Sequence, residues 1–159
     1  MVNAEKTLLA ELLAQEERLR FPRFDNETAL ALGLHLLDAA KQQGLAVTIS
    51  VRRGDQRLFH AARPGTSADN DAWIDRKSRV VDRYGHSSFA VGTRFRADGG
   101  TFEENSRLDP DTYAAHGGVF PVIVDGVGPI GTVGVSGLPQ ADDHAFVVEQ
   151  LEAFLPTLS

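Results

Sequence analysis

Apolar and polar residues recur along this chain with two different periods, and the changes of period divide it into elements. Leu8, Leu9, Leu12, Leu13 and Leu19 lie on one side of a 3.6-residue repeat and predict a helix over 4–19, stopped by Pro22. Asp25 is a good N-cap for a second helix that runs to residue 43 and stops at Gly44, with Glu27 in its first turn. That helix is apolar nearly all round, through Ala29, Leu30, Leu32, Leu34, Leu36, Leu37 and Ala40. A helix without a wide polar face is buried on more than one side, which in so small a domain points to a subunit contact. Residues 45–53 alternate as a strand, Gly54-Asp55 is a Gly-first hairpin loop, and 56–62 return as the paired strand. A polar loop over 64–70 leads to a helix over 71–84, with Asn70 as its cap and Gly85 just past its end. Residues 87–96 read as a third strand closed by Asp98-Gly99-Gly100, 101–109 as irregular, and 110–115 as one helical turn.

The last forty residues carry the strongest pattern. A short apolar run over 118–124, broken by Pro121, is followed by Asp125-Gly126-Val127-Gly128, which can supply the positive φ of a tight hairpin. Residues 129–136, PIGTVGVS, alternate small and β-branched side chains, as suits a strand with one face that something must approach closely. Gly137 ends that strand, and Pro139 suits the first turn of a helix. Asp142 and Asp143 lie where carboxylates favour the positive end of the helix dipole, and Phe146, Val147, Leu151, Phe154 and Leu155 form a core-facing stripe. Strands joined mostly by hairpins, with helices between and after, predict an antiparallel sheet covered by helices.

Composition narrows the class. A chain of 159 residues fills one core, so a single domain over 1–159 is expected, with the N-terminal helix packed on it. The formal net charge of −6 argues against nucleic acid as a partner. With no cysteine, thiolate nucleophiles and Cys-based metal sites are excluded. The amphipathic, charged N-terminus and the absence of a long apolar run predict a cytoplasmic protein without a membrane segment.

The segments HGGVFPV at 116–122 and GPIGTVGVSGLP at 128–139, with Asp143 after them, resemble the haem-degrading domain family that includes GlcG-like and HbpS-like proteins. NDAWIDRKSRVVDRYGHSS at 70–88 and FDNETALALG at 24–33 are similar to its uncharacterised branch, so the resemblance covers nearly the whole chain. It implies a profilin-like α/β (α+β) fold, a five-stranded antiparallel sheet flanked by helices, and a homo-oligomer. Some relatives are described as binding haem or a corrinoid, or as degrading haem.

Candidate chemistry follows from particular residues. His116 leads into Gly117-Gly118, where two glycines let a planar or anionic ligand approach the backbone, and a neutral imidazole could ligate haem iron. The bland alternative is a cap and a bulge into the next strand. His86, at a helix–strand junction, is either a second iron-ligand candidate or an imidazole on the last carbonyls of its helix. Lys77 interrupts the apolar stripe of Trp73, Val80, Val81 and Tyr84, so it needs a ligand carboxylate, an Asp across the core, or a snorkelling stem. Arg76, Arg79 and Arg83 share the neighbouring face, where Arg83 could join Lys77 on haem propionates or remain solvated. His35, His60 and His144 lack metal-motif spacing. VGVSGLP is not a nucleophile elbow, and GVGPIGTVG lies in a hairpin rather than at a strand-to-helix turn, which excludes a dinucleotide fingerprint.

The expected function is a binding module for haem, another tetrapyrrole or a small planar anionic ligand, with slow haem breakdown, at His116, Gly117, Gly118, Lys77, Arg83 and His86. The alternative is an oligomeric scaffold or adaptor without catalytic activity. An open pocket beside His116 and Gly117 favours the first; a packed-shut region favours the second.

Overall fold

Four strands form one antiparallel sheet in the order β2-β1-β4-β3. The structure is a computed structural model and describes residues 3–158. The strands are β1 (Thr48–Arg53), β2 (Gln56–Ala62), β3 (Val119–Val124) and β4 (Gly128–Ser136). The helices are α1 (Ala4–Arg18), α2 (Asn26–Gln43), α3 (Ala68–Tyr84), α4 (Ser88–Ala97), α5 (Phe102–Ser106) and α6 (Gln140–Phe154). Successive strand residues point to opposite faces, and the two faces differ in chemistry. Ile49, Val51, Phe120, Val122, Val133 and Val135 join Leu32 and Leu36 of α2 and Phe146 and Leu151 of α6 in the main core. The other face, covered by α3, carries Thr48, Ser50, Arg52, Thr132 and Ser136, all buried.

The glycines of β4 make room for protein. A Cβ at Gly131 would collide with the Arg52 carbonyl, and one at Gly134 would lie 2.7 Å from the Gly118 carbonyl oxygen. What approaches β4 closely is therefore its two neighbouring strands. The edge of β3 is covered in part by the connector after α1, where the Phe21 N–H donates to the Ile123 carbonyl at 2.7 Å and the Asp125 N–H to the Phe21 carbonyl at 3.0 Å.

The sheet has four strands and not the expected five, because residues 87–96 are helical. Gly85 closes α3 in the left-handed region at φ 73°, and the Ser87 hydroxyl accepts the Ala90 N–H at 3.1 Å as the N-cap of α4. Phe89, Thr93 and Ala97 then fall at four-residue spacing on the buried side of α4, which packs against α1 and α3. The aromatic and β-branched residues Phe89, Val91, Thr93 and Phe95 mimic a strand, but the cap and the spacing are helical.

Two smaller differences have the same origin in capping. Ser67 caps α3, which starts at Ala68, and Asn70 closes the capping box three residues later. The 101–109 stretch holds α5, whose cap Thr101 accepts the Glu104 N–H at 3.2 Å and whose Phe102 is buried beside Val80, Val91 and Ala115. Among the described residues no helix is long and apolar enough to cross a membrane.

Candidate functional site

Two cavities receive the histidines that lead the candidate residues. The first, of about 250 Å³, is polar and lies where α3 begins, β4 ends and α6 begins; Asn70, Trp73, Lys77, His116, Gly117, Ser136, Gln140 and Asp143 line it. The region beside His116 and Gly117 is thus open.

Lys77 reaches the back of this cavity from α3 and is 2 % exposed. Its Nζ donates to the Gly117 carbonyl at 3.0 Å, the Val135 carbonyl at 3.1 Å and Asp143 Oδ2 at 3.3 Å. An ammonium has three donors, and these three acceptors use them all. Asp143 is held from a second side, since its Oδ1 accepts the Leu138 N–H at 3.0 Å. Burial pushes the lysine down and the aspartate up, and each charge opposes the shift of the other. Lys77 has therefore found an Asp across the core and stands behind the cavity as a strut. Gly118, at φ +138°, borders that strut: a Cβ there would meet Nζ.

His116 is half-buried at the cavity mouth. Its ring centroid lies 5.2 Å from that of Trp73, whose ring carries the Arg76 guanidinium at 4.0 Å. Burial, reinforced by Lys77, Arg96 and Arg76 and opposed by Glu103, lowers its pKa, so the imidazole is neutral at neutral pH. Gln140 Oε1 accepts the Gly117 N–H at 3.0 Å, which gives the loop a fixed position against α6.

The second cavity, of about 180 Å³, lies between α1, the end of α3 and α4, and is walled by Leu9, Leu13, Tyr84, Ala90, Val91 and Phe95. His86 enters it, with exposed Arg94 beside it. His86 Nδ1 lies 2.7 Å from Glu16 Oε1, and the other oxygen of Glu16 accepts the Ser87 N–H at 3.1 Å. With a carboxylate as acceptor, Nδ1 is the donor, so in the uncharged ring Nε2 is the nitrogen that holds the lone pair. Glu16, 6 % exposed, follows Leu9, Leu12 and Leu13 on one helical stripe. It is a charge interrupting an apolar face, the same signal that marks Lys77 in α3.

Arg83 lines neither cavity; it is exposed, with its guanidinium 5.8 Å from the Tyr113 ring centroid. Lys77 and Arg83 are thus not brought together. A third histidine, His144, is buried between α6 and α1, where Nε2 bonds Gln15 Oε1 at 2.7 Å and burial lowers its pKa to about 4. Among the described residues no group of three or more His, Asp or Glu side chains could hold a metal ion. Glu16, Arg94, Asn70 and Gln140 have site positions that sequence reasoning did not assign; Glu16 alone left a periodicity signal.

Comparison with known proteins places this geometry in context. The profile of a family described as haem degrading protein HbpS-like matches residues 24–152, a segment that begins after α1. The chain is 59% identical over 152 residues to a UPF0303 protein of Streptomyces avermitilis, covering 96% of this chain and 93% of that one. A solved structure, that of the Ybr137w protein, is similar at a TM-score of 0.86 and 32% identity, over 98% of each chain. HbpS is similar in fold at 0.65 and 21% identity, over 84% of this chain and 90% of that one. A PduOC:heme complex is similar at 0.65 and 16%, over 82% and 94%.

Proposed function

The chain belongs to the HbpS-like family of haem-degrading proteins, and we propose that it is a haem-binding module whose site is the apolar cleft between α1 and α4, with His86 as the iron ligand. The bond from His86 Nδ1 to Glu16 carries this reading. A ligating histidine ordinarily donates its second N–H to a carboxylate or carbonyl, which fixes the ring and strengthens the free nitrogen as a donor. The cleft offers that arrangement beside leucine and phenylalanine walls, with Arg94 beside them for a propionate. At about 180 Å³ it takes one edge of a macrocycle and leaves the rest outside. That a structural neighbour is a PduOC:heme complex fits this reading without carrying it.

The polar cavity at His116 fits the macrocycle less well. An apolar ring edge there would cover Asn70, Ser136 and Gln140 without bonding them, and unbonded buried polar groups are costly. In the cleft the chain's residues hold and orient the ring, and any slow haem breakdown would be the chemistry of the bound iron porphyrin with oxygen or peroxide.

A haemin titration followed through the Soret band tests the proposal. The wild type and His116→Ala should give a saturable shift, His86→Ala should lose it, and Glu16→Gln should weaken it by about 10- to 100-fold. Loss in His116→Ala alone moves the site to the polar cavity. An unsaturated rise identical in all four proteins sinks haem binding.

Self-association is the second reading, and α2 favours it. Leu30 and Leu34, one turn apart, are 43% and 51% exposed, on the side of α2 away from its buried Ala29, Leu32, Leu36 and Ala40. We place a subunit contact there. Light scattering should give a multiple of the chain mass for the wild type and a smaller mass for Leu34→Glu; a monomeric wild type removes the contact.

A further inference from the structure

The polar cavity has hydrogen-bonding capacity that neither the fold nor haem binding uses. Three of the side chains lining it, Gln140, Asn70 and Ser136, have part of their capacity committed to the protein, and the commitments leave donors. Gln140 Oε1 is taken by the Gly117 N–H, so its amide nitrogen remains, with two N–H bonds. Asn70 Oδ1 is taken by the Ser67 N–H at 2.9 Å in the capping box, and its Nδ2 reaches Ser136 Oγ at 3.4 Å with one of two N–H bonds. Ser136, 4% exposed, accepts that bond and keeps its O–H. Both amide orientations are forced, because a backbone N–H can be accepted only by the carbonyl end. At the back, Lys77 has all three donors in use, and Asp143 accepts one bond on each oxygen, from Lys77 and from the Leu138 N–H.

From this arrangement we infer that the cavity is a second binding site, separate from the haem cleft, for a small carboxylate. The carboxylate oxygens would accept from Gln140 Nε2, Asn70 Nδ2 and the Ser136 hydroxyl at the base. His116 and Trp73 form the mouth. Neutral donors suit a monoanion, whereas a phosphate dianion is ordinarily held by guanidinium or ammonium groups free to bond it. The volume of about 250 Å³ equals roughly eight waters of liquid, enough for an acid of a few carbons. Asp69, exposed at the rim, opposes an anion weakly from solvent.

The test is a side-chain amide NMR titration of the full-length protein with sodium acetate and sodium glycerate at constant ionic strength, beside inorganic phosphate. Saturable shifts of the Gln140 and Asn70 amide resonances are expected with the carboxylates. Gln140→Glu keeps an acceptor for the Gly117 N–H while replacing the donors by a negative charge, so it should fold and bind at least tenfold more weakly. Ser136→Ala should weaken binding several-fold, Asp69→Asn should tighten it, and His86→Ala should leave it unchanged. Shifts that stay linear, or an affinity unaltered in Gln140→Glu, overturn the site. Saturation by phosphate alone overturns the carboxylate class. Because haem binding is read separately through His86, failure of either proposal leaves the other standing.

Discussion

Lys77 Nζ and Asp143 Oδ2 lie 3.3 Å apart with both side chains 3% exposed, joining α3 to the start of α6 across the end of the sheet. Two backbone carbonyls complete the ammonium's shell, so the pair ties together four segments: α3, the loop at Gly117, β4 and α6. Removing one member leaves the other charge buried and unmatched. Lys77→Met is therefore expected to cost about 3–5 kcal/mol. The double variant Lys77→Met/Asp143→Leu should recover part of that loss, as urea unfolding of the four proteins of the cycle would measure. Equal and additive losses would mean that the two charges do not depend on each other.

Gly118 tests the same junction from the backbone side. Its φ of +138° disfavours any side chain, and a Cβ would meet Lys77 Nζ and lie 2.7 Å from the Val135 carbonyl oxygen. Gly118→Ala should cost about 2–5 kcal/mol, combining backbone strain with overpacking. Gly126, also at positive φ but with nothing within 4 Å of its would-be Cβ, isolates the strain alone. Gly126→Ala should cost clearly less in the same melts.

Burial of His144 makes stability fall in mild acid. Its folded-state pKa of about 4 lies below the ordinary histidine value, and Nδ1 is buried without a bond. Between about pH 6.5 and 4 the unfolded chain takes up a proton that the folded chain refuses, so unfolding becomes progressively easier as pH drops through that window. The contribution is fully present above pH 6.5 and amounts to on the order of 3 kcal/mol lost by pH 4. Urea midpoints at pH 7.5, 5.5 and 4.5 should converge between wild type and His144→Gln as pH falls, because the glutamine lacks this slope. Parallel curves would assign the acid sensitivity to other groups.

Much of this was legible in the residues. The hairpins, α2, α6 and the need of Lys77 for a ligand carboxylate, an Asp across the core or a snorkelling stem follow from periodicity and from the cost of an unpaired charge. What periodicity could not give was which acid. Asp143 lies 66 residues from Lys77, and its position in the first turn of α6 already had a sufficient electrostatic explanation. The donor-lined cavity was hidden for a related reason: Gln140, Asn70 and Ser136 acquire their free N–H and O–H groups only after tertiary contacts have used the rest. The 87–96 segment misled because Phe, Val and Thr favour strands by composition, whereas the Ser87 cap, the four-residue spacing and packing under α1 together decide for a helix.

That decision can be tested at Glu16 and Ser87. Ser87 is fully buried, its hydroxyl capping α4 and its N–H bonded to Glu16 from α1. Ser87→Ala should cost about 1 kcal/mol as a lost cap. Glu16→Ala should cost more, about 1–3 kcal/mol, because it leaves the buried Ser87 N–H without its acceptor and frees His86 as well. Both losses should be local first. Amide hydrogen exchange at Ala90 and Val91 is expected to accelerate in each variant, while the β1 and β4 amides, in the centre of the sheet, change only as much as global stability does. Carbon chemical shifts over 88–97 provide the independent check. Helical values in the wild type with fraying at the α4 start in Glu16→Ala agree with a helix held in place by α1; extended values would return the segment to the sheet as a fifth strand.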